Sequence, residues 1–237
     1  MDMSYQIAVG RPPQSTPSLA THAEGQARIA SAGGALDALG TTVTVRKDVE
    51  IYSQGDAARH CYQIVSGCVR TVKLMEDGRR QVGEFLLPGD WFGCEALEEH
   101  DFAAEAVTPV VLRRFPRHAL ETLAERDARL GRLLFAIVAR ELRRARGQVV
   151  ALGRKTACER IAEFLLQMTQ RMPKDKTGAI ALPMSRTDMA DHLGLTIETV
   201  CRTLAVLRRA GAISLSRANL LVRDPVALLA VGCATRH

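Results

Sequence analysis

The sequence predicts an α+β chain: an antiparallel β domain in front, one long helix, and a basic helical domain closed by a hairpin at the rear. Three observations carry that expectation. Short apolar runs broken by turn residues fill Thr41 to Phe115, a helical period takes over after Pro116, and the charge reverses between the halves. Residues 1–125 hold 12 Lys and Arg against 17 Asp and Glu, whereas residues 126–237 hold 20 against 9. The overall charge of +6 therefore hides an acidic front and a rear drawn to phosphate.

Taken in order, Gly, Ala, Ser, Thr and Pro crowd residues 8 to 35, so residues 1–35 are expected to form a loosely ordered arm. The start lacks the basic, apolar and small-residue sections of a secretory leader, and no apolar run approaches the roughly 20 residues a membrane helix needs. Residues 36–125 are the β domain. Its runs are punctuated by Gln54-Gly55-Asp56, Ser66-Gly67, Glu76-Asp77-Gly78 and Pro88-Gly89-Asp90, the spacing of a small antiparallel sandwich or barrel. Residues 126–153 are the long helix, from Asp127 to Leu152 and roughly 39 Å in length. Leu130, Leu134, Val138, Leu142, Ala145, Val149 and Leu152 form one stripe that Leu133 and Ile137 widen. One side can meet the β domain and the other a second copy of the chain; burial wholly within its own chain is the alternative. We assign Leu130, Leu134, Ile137, Val138, Leu142, Ala145, Val149 and Leu152 to dimerisation. Arg140, Arg143, Arg144 and Arg146 are expected to point outward into solvent.

Residues 154–237 form the rear domain. A helix over Ala157–Met172 stops before Pro173. Ser185 stands three residues before Asp188 in an approximate capping box, followed by a short helix to His192 and by Gly194, suited to a sharp turn. Thr196 is a natural N-cap for a helix that ends at Gly211. At about 100° per residue, Ile197, Val200, Leu204 and Leu207 face a core, while Glu198, Arg202, Ala205 and Arg209 share another face. Two helices joined through a short Gly turn, the second with a polar face, make a helix-turn-helix whose second helix suits the major groove of double-stranded DNA. Arg202 can donate twice to guanine O6 and N7, and Glu198 can accept from cytosine N4. The alternative is a solvated ion pair worth about 0.2–0.5 kcal/mol. Leu195, Thr196 and Cys201 flank these two as further contacts. Ile213–Leu215 and Leu220–Val222 suggest a wing with Arg217 at its tip. Arg154, Lys155, Ser185, Arg186, Arg209 and Arg217 are candidates for phosphate. The six cysteines show no metal-ligand spacing, and no acid and base pair or nucleophile motif marks an enzyme.

The stretches YSQGD, YQIVSGCVR, LLPGDWFGCEAL and LGLTIETVCRTL resemble the Crp/Fnr superfamily, and the last is most like the FixK-type regulators of rhizobia. The resemblance implies a cupin-like β-roll, a dimerisation helix and a winged helix-turn-helix. It also implies a cytoplasmic homodimeric activator that meets RNA polymerase and binds an inverted repeat of TTGA half-sites, with Arg202 on guanine and Glu198 on the paired cytosine. Members that bind cyclic AMP carry a Gly-Glu-Leu turn and an arginine for the cyclic phosphate. Here the matching stretches are Gly93-Cys94-Glu95-Ala96 and Phe102-Ala103-Ala104-Glu105, so no nucleotide is expected. With no cysteine before Cys61, an iron-sulfur cluster has no anchor, and the expected cofactor is none. Binding without an effector follows, with Cys201 as a candidate redox position. A ligand-gated regulator of the same fold and a cyclic-nucleotide module serving an enzyme are the alternatives.

Overall fold

The computed structural model describes residues 34–95 and 98–234. All but the last two positions of the expected arm lie outside them. A short helix α1 (Ala35–Leu39) leads into eight strands: β1 (Thr41–Val45), β2 (Glu50–Tyr52), β3 (His60–Ser66), β4 (Val69–Leu74), β5 (Arg80–Leu86), β6 (Trp91–Phe92), β7 (Ala103–Ala106) and β8 (Val110–Pro116). They make two antiparallel four-stranded sheets, in the orders β1-β8-β3-β6 and β2-β7-β4-β5. The turn glycines separate the strands as expected. At Gly67, φ is 93° and a Cβ would lie 2.4 Å from the Pro109 carbonyl oxygen, so only glycine fits. Between the sheets Tyr52, Tyr62, Ile64, Val69, Leu86, Phe92, Val110 and Leu112 form one apolar core.

Two helices follow. Helix α2 (Arg117–Arg126), which the sequence pattern did not mark off, turns into α3 (Ala128–Arg154) at Asp127, whose side chain accepts from the Arg129 N–H at 2.8 Å and caps the new helix. Leu130 and Ile137, 1% and 3% exposed, pack inside their own chain against Trp91, Phe115 and Leu120. Their assignment to dimerisation is corrected: a side chain buried on its own roll cannot also meet a second copy. Leu134 packs against the same cluster. Phe135, Val138, Leu142 and Val149 are exposed, and Phe135 extends the outward stripe by one position that the sequence reading left out. Arg144 is also corrected. It is not solvated but donates to Glu84 Oε2 at 3.0 Å and Asp90 Oδ1 at 3.2 Å, because burial of those carboxylates demands a cation.

The rear domain holds α4 (Ala157–Arg171), β9 (Ile180–Ala181), α5 (Arg186–Leu193), α6 (Ile197–Arg209), β10 (Ile213–Ser216), β11 (Asn219–Val222) and α7 (Pro225–Ala234). Thr156 and Glu159 close a capping box at the start of α4. Strand β9 joins the wing hairpin in a sheet of order β10-β11-β9. Helix α7 packs on α4 and was not foreseen, since its apolar residues run all round and give no stripe. The core of this domain continues onto Val72, Val82, Phe85 and Leu87 of the roll. Among the described residues no helix is long and apolar enough to cross a membrane, and no group of three or more His, Cys, Asp or Glu could hold a metal ion.

Candidate nucleic-acid interface

Local hydrogen bonds fix the ends of the helices α5 and α6. Ser185 Oγ accepts from the Asp188 N–H at 3.0 Å, and Asp188 Oδ2 accepts from the Ser185 N–H at 3.0 Å and its hydroxyl at 2.8 Å. The shorter aspartate thus completes the box usually closed by Glu or Gln. Helix α5 ends at Gly194 with φ 62° and ψ 44°, where a Cβ would stand 2.9 Å from Leu152 Cδ2. Two residues later Thr196 Oγ1 accepts from the Thr199 N–H at 3.1 Å and starts α6.

On α6, Val200, Leu204 and Leu207 are buried as expected. Ile197 is not: at 48% exposed it leaves the core face predicted for it. It belongs to the first turn, which projects beyond the point where Val200 begins to pack. Glu198, Cys201, Arg202, Arg208 and Arg209 are exposed along the same helix. Arg202 Nη2 lies 3.7 Å from Glu198 Oε1, with 66% and 83% of the two side chains in solvent. A pair this loose and exposed leaves the guanidinium donors available to a base edge.

The remaining candidates divide. Arg154, Arg209 and Arg217 are exposed, Arg217 at the wing tip with φ 51°. Lys155 is bonded to Glu163, so its charge already has a partner. Arg186 is half-buried, and the Ser185 hydroxyl is engaged in its capping box. Leu195 packs against the domain core, whereas Thr196 and Cys201 face outward.

Arg160 was missed by sequence reading. Its guanidinium donates to the carbonyls of Leu152 at 2.8 Å, Lys155 at 3.0 Å and Leu193 at 2.9 Å, tying the end of α3 and the connector to the turn before α6. A second tie joins the roll to α5. Arg70 Nη1 and Arg80 Nη2 donate to Asp188 Oδ1 at 3.0 and 2.7 Å, and Arg80 Nε donates to Asp191 Oδ2 at 2.9 Å. Burial pushes the Asp188 carboxyl up, but the Ser185 bonds and the two arginines outweigh it and hold it below the usual carboxylate value. His192 sits at the same contact, half-buried beside Phe85 and Phe164 with Nδ1 3.2 Å from the Val82 carbonyl oxygen. Burial holds its pKa down. The signal for these ties was a set of arginines in strands β4 and β5 with no local partner, which sequence spacing alone cannot match to α5.

Inside the roll, Tyr52 stacks on His100 with ring centroids 3.6 Å apart, and Tyr62 stacks on Phe92 at 5.1 Å. Glu105 is ion-paired with Arg70 at 2.6 Å.

A capped helix presenting Glu and Arg to solvent, a wing, and a roll tied to both define a winged-helix DNA-binding regulator of transcription. Comparison with known families agrees. Residues 159–231 match the Crp-like helix-turn-helix domain and residues 42–127 the cyclic nucleotide-binding domain. The chain is 46% identical to the nitrogen fixation regulation protein FixK of Azorhizobium caulinodans, over 81% of this chain and 79% of that one. It is 42% identical to the protein of the same name from Rhizobium meliloti, over 78% and 84%. The solved structure of FixK2 from Bradyrhizobium japonicum superposes with a TM-score of 0.76 at 45% identity, covering 80% of this chain and 95% of that one. The chain belongs to the Crp/Fnr superfamily, among its FixK-type regulators.

Proposed function

We propose that the chain acts in the cytoplasm as a homodimer that activates transcription from an inverted repeat of TTGA half-sites without a small-molecule effector. The observation that carries this reading is the exposed Glu198 and Arg202 pair on a helix capped by Thr196. Arg202 reads guanine and Glu198 the paired cytosine, while Ile197 and Cys201, one turn apart, suit the thymine methyl groups. Dimerisation is supported by the outward residues Phe135, Val138, Leu142, Ala145 and Val149, whose spacing of 3, 4, 3 and 4 is that of a coiled-coil seam. The domain limits follow the same logic: roll 36–125, dimer helix 126–153, DNA-binding domain 154–237. The DNA-bound dimer then contacts RNA polymerase at the promoter.

Independence from an effector is supported by the aromatic filling of the roll and by Glu105 where a phosphate-binding arginine stands in nucleotide-binding relatives. A second reading, a ligand-gated regulator, is favoured by the match of residues 42–127 to the cyclic nucleotide-binding domain. Titrating the purified protein into an inverted-repeat duplex, with and without cyclic AMP, separates the two. We expect equal, sequence-dependent binding in both arms; binding only with the nucleotide overturns the effector-free reading. Loss of preference for TTGA over a scrambled half-site overturns the base assignment.

A further inference from the structure

Cys61 and Cys94 meet where the roll joins α3. Strand β3 pairs with β6 so that Tyr62 faces Phe92. Continuing that register sets Cys61 opposite Gly93, with Cys94 one residue beyond. In regular strands this offset sends the two side chains to opposite faces. Gly93 breaks the pattern with φ 74°, and a Cβ there would lie 3.1 Å from the His60 carbonyl oxygen. The turn it makes brings Cys94 round to the side of Cys61.

Cys94 packs against the buried cluster that contains Cys61; Cys61 Sγ lies 4.0 Å from the Gly93 carbonyl oxygen, in the peptide bond next to Cys94, and Cys94 Sγ lies 3.9 Å from that of Phe92. Arg117 fixes this backbone by donating to the carbonyls of Ala58, Gly93 and Cys94. The neighbouring Cys94 thiol, opposed by burial and aided by Arg117, holds the Cys61 thiol below its ordinary value. Cys61 is buried and Cys94 half-buried, so a small oxidant approaches from the side of Cys94. Leu133 and Leu134 of α3 pack on the same cluster as the pair.

We propose that Cys61 and Cys94 are a dithiol that a peroxide closes to a disulfide. The Cys61 thiolate attacks one peroxide oxygen, giving a sulfenic acid as the O–O bond breaks and hydroxide leaves. The Cys94 thiol then attacks the Cys61 sulfur; the S–S bond forms and water leaves with the sulfenic oxygen. Two electrons pass from the thiols to the peroxide. The site is separate from Cys201 on the reading helix and stands whether or not the DNA target is as proposed.

The test treats full-length protein with hydrogen peroxide, alkylates the remaining thiols and maps the peptides by mass spectrometry without reduction. The expected result is one linked peptide pair joining Cys61 to Cys94, two fewer alkylatable thiols per chain, and recovery of both with dithiothreitol. In Cys94→Ser, dimedone should instead label Cys61 as a sulfenic acid. If Cys61 and Cys94 of the wild-type protein both stay alkylatable while the exposed Cys201 is oxidised, the proposal is overturned. Since that result comes from unmutated protein, it does not depend on whether the variant folds.

Discussion

Arg202 and Glu198 are held 3.7 Å apart with most of both side chains in water, so their bond contributes about 0.2–0.5 kcal/mol to the helix and opens easily. Their effect should therefore show in DNA preference and not in melting. Arg202→Ala is expected to cost roughly 1–3 kcal/mol on the matched half-site and to erase discrimination at its guanine, measured by competition binding with single-base variants. An equal loss on matched and mutated sites would reduce Arg202 to a phosphate contact. Arg160→Lys is expected to lower DNA affinity at every sequence, because one ammonium cannot bridge the carbonyls that the guanidinium fork spans. The caps at Ser185 and Thr196 and the turn at Gly194 were legible in the sequence, since each depends on residues within four positions. Arg160 was not legible, because its partners are carbonyls up to 33 residues away and any residue type supplies a carbonyl.

Helix α3 carries apolar residues on two adjoining faces. Periodicity located the broad stripe but could not say which edge the roll would take. Leu130 and Ile137 went to the roll, while Phe135, Val138, Leu142 and Val149 stayed outside. The two edges should respond differently to substitution. Val138→Glu with Leu142→Glu is expected to leave a folded monomer in sedimentation and to weaken DNA binding steeply, since two half-sites are then engaged one at a time. Leu130→Ala is expected to cost about 2–5 kcal/mol of stability and leave the sedimentation of the folded protein unchanged. Helix α7 escaped the sequence reading for the opposite reason: Val226 to Val231 is uniformly apolar, and a run without a polar face offers no period to detect.

Across the whole molecule the basic rear and acidic front should give a steep salt dependence. Each of Arg154→Ala, Arg209→Ala and Arg217→Ala is expected to flatten the plot of log affinity against log salt by about 1, and Lys155→Ala by less, because Glu163 already holds its charge. Acid should loosen the contact between the domains in two stages. His192 titrates below its ordinary 6.5, so its contribution is complete above that value and is lost as the pH falls from it toward the folded value. Burial raises the Asp90 carboxyl, yet Arg171 and Arg144 outweigh it and hold it, like Asp188, below 3.8. Their contribution is complete above the unfolded value and is lost as the pH falls through the folded ones. Thermal melts from pH 8 to 3 should record both stages, and Asp188→Asn should shrink the second.

Because one carboxylate both starts α5 and receives Arg70 and Arg80 from the roll, the rear domain is not a free-standing module. A chimera that grafts residues 154–237 onto another roll inherits a buried charge without its counterions, so a functional transplant must carry both arginines with it.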